Sequence, residues 1–177
     1  MQALDFQKLV AADKSNLLGR LLKLLDDQHI GFCVIGSAAV SAYAEPLLGL
    51  DFDIVVTSYQ LGRFEAQLAN TFFVKRAPRF IEITMPGSAL RVNVFTETRY
   101  SAFVERAALR DWLGLPLPIA RIEDVLSATL WAHADSTRAA WQRLKDLTDV
   151  ARLLHVNPKL RAQTPPALLA KLETQAQ

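Results

Sequence analysis

Hydrophobic and polar residues follow two different periodicities along this chain, one typical of helices and one of strands. Leucines that recur every three or four residues predict an amphipathic first helix, and short apolar runs bounded by Gly, Pro and Ser predict strands. The predicted helices of the first two-thirds cover 14–28, 37–45, 59–69 and 99–110. The predicted strands cover 31–36, 50–56, 72–75, 79–85 and 90–95, and the turn sequence PGSA joins the last two as a hairpin.

The pattern changes where the segment LGLPLPIA, residues 113–120, brings two prolines and predicts a connector. Helical periodicity then predicts three helices, over 122–134, 138–155 and 166–174. We therefore expect an α+β core over 1–118 and a C-terminal helical region over 119–177 that packs on the core. Trp131 and Trp141 flank the link between the first two of these helices, and the simplest expectation is that both are core residues.

Composition restricts the class of protein. With 177 residues, of which 51% are hydrophobic, the chain can bury a sizeable core, as one domain or one domain with a small appendage. No apolar run is long enough to cross a membrane. Asp5 and Lys8 stand where a signal peptide would need apolar residues, and Cys33 is the single cysteine, so we expect a cytoplasmic protein. The scattered histidines do not have zinc-site spacing, and a metal would need oxygen ligands.

Charge is unevenly distributed, although the formal net charge is only +2. Residues 1–70 hold five basic and eight acidic side chains, whereas residues 75–110 hold seven and three, and residues 138–161 hold six and two. An acidic region bordered by basic segments suits a metal-bound polyphosphate, and a protein without such a ligand also shows this asymmetry by chance. Three arginines lie on or beside the predicted hairpin: Arg76, Arg79 and Arg91. They would fit nucleic acid binding, and they fit at least as well the protection of an exposed sheet edge by solvated charges.

Two aspartates at the start of a buried strand are the candidate chemistry. Asp51 and Asp53 are two residues apart, so in a strand their side chains point to the same face, roughly 7 Å apart. Gly36 and Ser37 follow the preceding apolar strand and open a predicted helix, which places free backbone N–H groups and a hydroxyl at one point. If the two strands are neighbours, a phosphate seat and an acidic pair meet at one sheet edge. The carboxylates would then lack partners until a cation such as Mg²⁺ arrives with a polyphosphate.

Each of these features also has a simpler interpretation. The aspartates alone fit a solvated junction between a loop and a strand, and Gly36 with Ser37 alone fits a tight turn and a helix N-cap. Lys145 and Asp149 are four residues apart on a predicted helix, and this spacing occurs more often in surface ion pairs than in ligand sites. Asp146 lies nearer the core-facing side of that helix and is the better candidate for ordering a neighbour or a substrate.

The order of these features resembles the nucleotidyltransferase superfamily, in which a buried strand, Gly-Ser and a short helix precede an Asp-x-Asp that opens a second strand. The chain is most similar to small bacterial members grouped with the abortive-infection and toxin–antitoxin nucleotidyltransferases. The similarity extends to RYSAFVERA, LGLPLPIARIEDVLSATLWA and RLKDLTDVARLL and covers residues 14–161. It implies a nucleotidyltransferase-type core, a short mixed sheet with helices, followed by a C-terminal helical bundle.

The resemblance also implies roles for individual residues. Gly36 and Ser37 would hold the nucleotide phosphates, and Asp51 and Asp53 would bind Mg²⁺. The family usually has a third carboxylate on a later strand, and the matching position here is Asn93, whose amide can ligate a metal but cannot act as a general base.

Other matches and departures lie nearby. If the strand is misaligned, Glu97 and Glu82 are the nearest alternative bases. Thr129 stands where related members often carry a lysine, whereas a later Lys-Asp stretch of the family is matched. The candidate catalytic residues are Asp51, Asp53, Asn93, Lys145, Asp146 and Asp149.

Taken with the residues, the resemblance predicts Mg²⁺-dependent transfer of a nucleoside monophosphate from an NTP to a hydroxyl acceptor, with the acceptor left open as RNA, a protein or a small molecule. A toxin–antitoxin role would add a cognate antitoxin as partner, and no membrane partner is expected. The alternative is a catalytically silent nucleotide-binding or partner-binding module, with Asn93 and Thr129 as marks of lost catalysis. A purely structural helical adaptor would leave the Gly-Ser turn and the aspartate pair unexplained.

Overall fold

A computed structural model of the chain describes residues 12–47 and 49–175. The helices in these residues are α1 (Leu17–Asp27), α2 (Gly36–Tyr43), α3 (Leu61–Leu68), α4 (Phe103–Arg106), α5 (Ile122–Ala134), α6 (Ala140–Val156) and α7 (Pro166–Gln175). The strands are β1 (Phe32–Ile35), β2 (Asp51–Val56), β3 (Phe73–Arg76), β4 (Phe80–Thr84), β5 (Arg91–Phe95), β6 (Ala108–Trp112) and β7 (Leu115–Ile119). Short 3₁₀ helices cover Ser58–Gln60, Thr98–Tyr100 and Pro158–Gln163.

The strands form one mixed sheet in the order β3-β4-β5-β2-β1-β7-β6. β1 runs antiparallel to β2 and parallel to β7, while β5 runs parallel to β2. The hairpin predicted at the PGSA turn is confirmed as the antiparallel pair β4–β5. The predicted α+β class with a short mixed sheet and a C-terminal helical part is therefore confirmed.

The centre of the sheet is buried on both faces. Cys33 and Val34 are adjacent on β1 and fully buried, and successive residues of a strand point to opposite faces. Phe52 of β2 is also buried and packs edge-to-face on Trp112 of β6, with ring centroids 5.3 Å apart. Polar side chains border this buried region where β1 ends and β2 begins, since Asp51 and Asp53 are partly buried there.

The sequence interpretation of residues 99–120 is partly wrong. The predicted helix over 99–110 is reduced to a 3₁₀ turn and the four-residue α4, and the predicted connector contains β7, which pairs antiparallel with β6. Pro116 and Pro118 are two residues apart, so both lack an amide on the same side of β7. The residues next to each proline have their amides on the opposite side of β7. A strand can therefore contain both prolines, although this proline spacing normally indicates a loop.

The C-terminal helices α5, α6 and α7 are found where the sequence predicts them, within two residues at each end. α5 and α6 pack on each other and on α2, while the division of the chain into parts 1–118 and 119–177 stays a prediction. Trp131 packs on Tyr100 with ring centroids 5.5 Å apart, as expected of a core residue. The expectation for Trp141 is wrong, because its side chain is 67% exposed. In the described part of the chain, no helix combines the length and apolar character needed to span a bilayer.

Candidate functional site

The chain turns sharply where β1 ends, and this turn lies directly against β2. Ile35 is opposite Asp53 in the antiparallel register, so the expectation that the two strands are neighbours is confirmed. Gly36 follows with φ +63°, a left-handed conformation that glycine adopts without steric cost. A Cβ atom on Gly36 would lie 2.3 Å from Oδ2 of Asp53. The backbone of this turn therefore approaches the carboxylate as closely as only glycine allows.

Ser37 in the first turn of α2 is joined to α6 by a short hydrogen-bond chain. Lys145 Nζ donates to Ser37 Oγ over 2.6 Å, and Ser37 Oγ donates to Asp149 Oδ2 over 2.7 Å. Arg152 Nη1 donates to the other oxygen of Asp149 over 2.6 Å. The first N–H groups of α2 have no partner within the helix, so the turn presents backbone donors together with an ammonium group.

These contacts contradict the surface ion-pair interpretation of Lys145 and Asp149. Asp149 is 3% exposed, and the two side chains meet on the hydroxyl of Ser37 rather than on each other. Asp146 is also buried, as its position on the helix predicts, and its two oxygens accept from Nε and Nη2 of Arg138, each over 3.2 Å. Burial raises the pKa of Asp146, and the charge of Arg138 opposes this shift.

Both aspartates of the pair have partners within the protein, so the expectation that they lack them is wrong. Arg91 Nε donates to Asp51 Oδ1 over 2.8 Å, and both side chains of this ion pair are well exposed. Asn93 Nδ2 donates to Asp53 Oδ1 over 2.8 Å. The cause is the parallel pairing of β2 with β5, which sets Asp51 opposite Arg91 and Asp53 opposite Asn93.

Ionisation of the Asp53 carboxyl group is nevertheless unfavourable. Burial raises its pKa from 3.8 to about 6, the negative charge of Asp51 adds to the shift, and the hydrogen bond from Asn93 opposes it. The positive charges of Lys145 and Arg138 also oppose the shift. A further cation beside Asp53 would favour its ionised form.

The donor set at this edge fits a magnesium ion that arrives with a phosphate ligand. Asp51 and Asp53 offer hard oxygen atoms on one face of β2, and Mg²⁺ typically takes one or two carboxylates while it keeps water and phosphate oxygens. Among residues 12–47 and 49–175, no group of three or more acidic, His or Cys side chains is arranged to hold a metal by itself. The two carboxylates therefore fit an Mg²⁺ ion that is shared with a polyphosphate.

Glu82 extends the polar row across the sheet. Asp53 is opposite Asn93 on β5, and Asn93 is opposite Glu82 on β4. Directly opposed residues of neighbouring strands share a face, so the half-buried Glu82 points to the same side as Asp53. Glu97, by contrast, accepts a hydrogen bond from Arg99 over 2.8 Å. The register thus places one glutamate beside the position where the family pattern has its third carboxylate.

The remaining candidates from the sequence are located as follows. Thr129 is buried on α5 and donates to the carbonyl of Val125 over 2.8 Å, a helix-internal bond. The arginines near the hairpin form ion pairs within the protein: Arg76 with Glu65, Arg79 with Asp135 and Arg91 with Asp51.

Two residues near the site were missed by sequence reasoning. The charge of Arg138 acts on Asp53, and Trp141 lines a cavity that Ser37 and Lys145 also line. Arg138 precedes α6, which begins at Ala140, so helical spacing does not connect it to Asp146, and the sequence held no local signal for their contact.

Comparison with known proteins agrees with this architecture. No family model matches the chain, and no curated protein matches its sequence. A solved structure of ANT(2")-Ia in complex with adenylyl-2"-tobramycin is 13% identical, with a TM-score of 0.59 over 91% of this chain and 97% of that one. An antigenic nucleotidyltransferase-like protein from Paracoccidioides brasiliensis is 16% identical, with a TM-score of 0.57 over 98% and 90%. The lincosamide antibiotic adenylyltransferase LnuA, bound to lincomycin, is 11% identical, with a TM-score of 0.52 over 77% and 95%.

At these identities the structural similarity establishes the fold. The chain has the nucleotidyltransferase fold, and the resemblance stated from its sequence is confirmed at that level.

Proposed function

We propose that this protein is a nucleotidyltransferase that transfers a nucleoside monophosphate from an NTP to a hydroxyl group, with Mg²⁺. The observation that carries the proposal is the meeting of three features at one point: the Gly36 turn, the carboxylate of Asp53 and the ammonium group of Lys145. A turn with free N–H groups binds phosphate, and the carboxylate binds the counter-cation. Neither a helical adaptor nor a solvated turn accounts for all three.

The phosphates would lie against the first turn of α2. The backbone N–H groups after Gly36 and the ammonium of Lys145 are the donors, because the hydroxyl of Ser37 already donates to Asp149. Asp149 is thus a positioning residue, since it fixes Ser37 and, through it, the head of Lys145. Asp146 does the same for Arg138, whose guanidinium donates to both oxygens of this carboxylate and whose positive charge acts on Asp53.

Asp51 and Asp53 would hold Mg²⁺, which would neutralise charge on the phosphates as the transfer proceeds. For this, Arg91 would have to release Asp51 or bind it together with the ion. Asn93 on β5 would keep the carboxylate of Asp53 oriented through its hydrogen bond. Burial raises the pKa of Asp53 to about 6, which disfavours its ionised form. Ionisation of this carboxyl and binding of the cation therefore favour each other.

Glu82 is our candidate for the general base. The acceptor hydroxyl would give its proton to the carboxylate of Glu82 while its oxygen forms a bond to the α-phosphorus. The bond from the α-phosphorus to the bridging oxygen breaks in line with the new bond, and pyrophosphate leaves with that electron pair. Asn93 cannot take the proton because its amide is not basic at neutral pH. The side chain of Glu82 shares a face with Asp53, as this role requires.

The test is a transfer assay with labelled nucleotide. The purified protein is incubated with Mg²⁺ and each of the four NTPs, labelled at the α-phosphate or at the γ-phosphate, together with RNA, protein and small-molecule fractions of a cell extract. We expect label from the α-position to become attached to one fraction, and none from the γ-position. Transfer of γ-label would identify a kinase and would contradict the proposal.

Charge-matched variants make the test specific to the site. Asp53→Asn should abolish transfer, whereas Asp26→Asn, which removes an exposed acid on α1, should leave it unchanged. Unchanged transfer in Asp53→Asn would show that the activity belongs to a contaminant, and equal loss in both variants would show that it depends on the overall charge. The acceptor that acquires label also decides between RNA, a protein such as a cognate antitoxin partner, and a small molecule; the toxin–antitoxin role and the cytoplasmic location stay predictions.

A catalytically silent nucleotide-binding module is the second candidate, and two observations favour it. Asn93 replaces the third carboxylate of the family pattern, and Arg91 occupies Asp51. On this alternative, Mg²⁺ with an NTP raises the melting temperature of the protein while no label is transferred from either phosphate position. The same set of incubations, accompanied by thermal melts, therefore distinguishes the two candidates.

A further inference from the structure

An exposed apolar surface lies beside the phosphate seat. Trp141 on α6 is 67% exposed, Leu144 on the same helix is 56% exposed, and Leu47 from the loop before β2 is 55% exposed. Single exposed apolar residues are ordinary, but three large ones grouped around one depression mark a surface that contacts something apolar. The core role that the sequence predicts for Trp141 does not account for the exposure of its side chain.

These side chains line a cavity of about 360 Å³. Cavities that bind small molecules typically measure about 300–1,000 Å³ and combine apolar walls with a few polar groups. The cavity has this composition: its apolar wall is the three residues above, and its polar end is Ser37, Lys145 and Asp149. The polar end belongs to the proposed phosphate seat, so the two sites are continuous.

We propose that this cavity takes the nucleobase of the NTP, stacked on the indole of Trp141; the inference rests on the proposed function. Trp141 and Lys145 are four residues apart on α6, so their Cβ atoms lie on one face of the helix about 5–6 Å apart. A triphosphate held at Lys145 carries its nucleoside within reach of that distance. The indole offers a flat π-surface, and every nucleobase has a π-face to set against it.

This assignment predicts a weak preference among bases. Stacking on an aromatic side chain is tolerant of sequence, because purines and pyrimidines both stack. Thr148, the remaining polar side chain of the wall, donates its hydroxyl proton to the carbonyl of Leu144 over 3.1 Å. Among the described residues of the wall, no side chain offers a fixed donor that would select one base edge, and we expect the four NTPs to bind within about tenfold of one another.

The experiment measures the accessibility of Trp141 and the affinities of two probes. Trp112 is 2% exposed and Trp131 is half-buried, so acrylamide quenching of tryptophan fluorescence reports mainly on Trp141. Each NTP and inorganic tripolyphosphate are added with Mg²⁺. We expect NTPs to lower the quenching constant of the exposed tryptophan at least twofold, and tripolyphosphate to leave it unchanged.

Variants separate stacking from general loss of the surface. In calorimetric titrations, Trp141→Ala should raise the Kd for NTPs about tenfold and leave the Kd for tripolyphosphate within about twofold. Trp141→Phe should stay within about threefold of wild type, because a phenyl ring also stacks. Tyr59→Ala, which removes an 85% exposed aromatic residue elsewhere, is the matched control and should change neither affinity.

Other outcomes overturn the inference in distinguishable ways. If NTPs and tripolyphosphate bind equally well and Trp141 stays open to acrylamide, the nucleobase lies elsewhere and the phosphate seat still stands. If neither probe binds with Mg²⁺ present, the proposed function fails and the nucleobase site fails with it. If Trp141 becomes protected as the protein concentration rises, with dimers visible by sedimentation, a second copy of the chain covers this surface and the nucleobase assignment is wrong.

Discussion

Replacement of Asp53 by asparagine should stabilise the protein when no nucleotide or metal is bound. The variant keeps an oxygen atom that can accept the hydrogen bond from Asn93 and keeps the close packing against Gly36, so the change is almost purely one of charge. Burial makes the ionised carboxylate costly, and this cost disappears in the variant. The expectation is unusual, because removing a buried hydrogen-bonded acid more often destabilises a protein.

The magnitude follows from the pKa. A rise from 3.8 to about 6, at about 1.4 kcal/mol for each pH unit, corresponds to at most about 3 kcal/mol of destabilisation at neutral pH. Because Asp53 is only half-buried, solvent screening reduces this value, and we expect Asp53→Asn to gain about 1–2 kcal/mol at pH 7. In a chain of this size each kcal/mol raises Tm by roughly 2–4 °C.

The pH dependence gives the prediction its sign. Between pH 4 and 6 the folded protein holds a proton on Asp53 that the unfolded chain has released, so wild-type stability falls as pH rises through this window. The asparagine side chain does not titrate. The advantage of the variant should therefore be absent below about pH 4, grow through the window and stay constant above about pH 6.5.

Urea unfolding of both proteins at pH 4, 5, 6, 7 and 8, without Mg²⁺ or nucleotide, measures this difference. Asp51→Asn is the comparison variant, because its exposed ion pair with Arg91 should contribute less than about 1 kcal/mol. A variant that is less stable than wild type at pH 7 would refute the reasoning, since Asp53 would then be a structural acid whose charge stabilises the fold.

Two further predictions concern the same row of residues. Glu82→Gln should lower the rate of label transfer about 10²–10³-fold while the NTP Kd stays within about twofold. Addition of Asn93→Asp to this variant should restore part of the rate, because a carboxylate then stands at the position where the family has one. An unchanged rate in Glu82→Gln would exclude Glu82 as the base. Arg91→Gln should raise Mg²⁺ affinity a few-fold in the presence of NTP, measured by calorimetry, because it frees Asp51; weaker binding would show that Arg91 contacts the nucleotide instead.

Much of the fold could be predicted from the sequence because its signals are local. Leucine periodicity locates α1, a glycine after an apolar run ends β1, and the PGSA turn fixes the β4–β5 hairpin. The hairpin β6–β7 was missed since Pro116 and Pro118 are strong local signals for a loop. Their two-residue spacing is compatible with a strand, but only the pairing with β6 shows that the segment forms one.

The separate motifs of the candidate site could be predicted from the sequence, but the partners of its acidic side chains could not. The turn at Gly36 and the two acids of β2 were visible as short motifs, and their proximity follows from β1 and β2 being neighbours. The partners of those acids were not predictable, because Arg91 and Asn93 lie forty residues away and are brought opposite by the register of β5. Likewise, exposure of Trp141 depends on what faces α6, which the periodicity of one helix does not reveal.

The register also explains why an asparagine beside Asp53 is compatible with a working site. A third carboxylate at position 93 would stand directly opposite Asp53, about 5 Å away across the strands, and would raise the pKa of Asp53 further before any cation arrived. Glu82 places the negative charge one strand further out, at roughly twice that spacing. The folded protein then has less like-charge repulsion to overcome, and a base stays on the same face of the sheet. On the proposed function, the protein alone would hold Mg²⁺ more weakly, and binding of the cation should depend on the phosphates of the nucleotide.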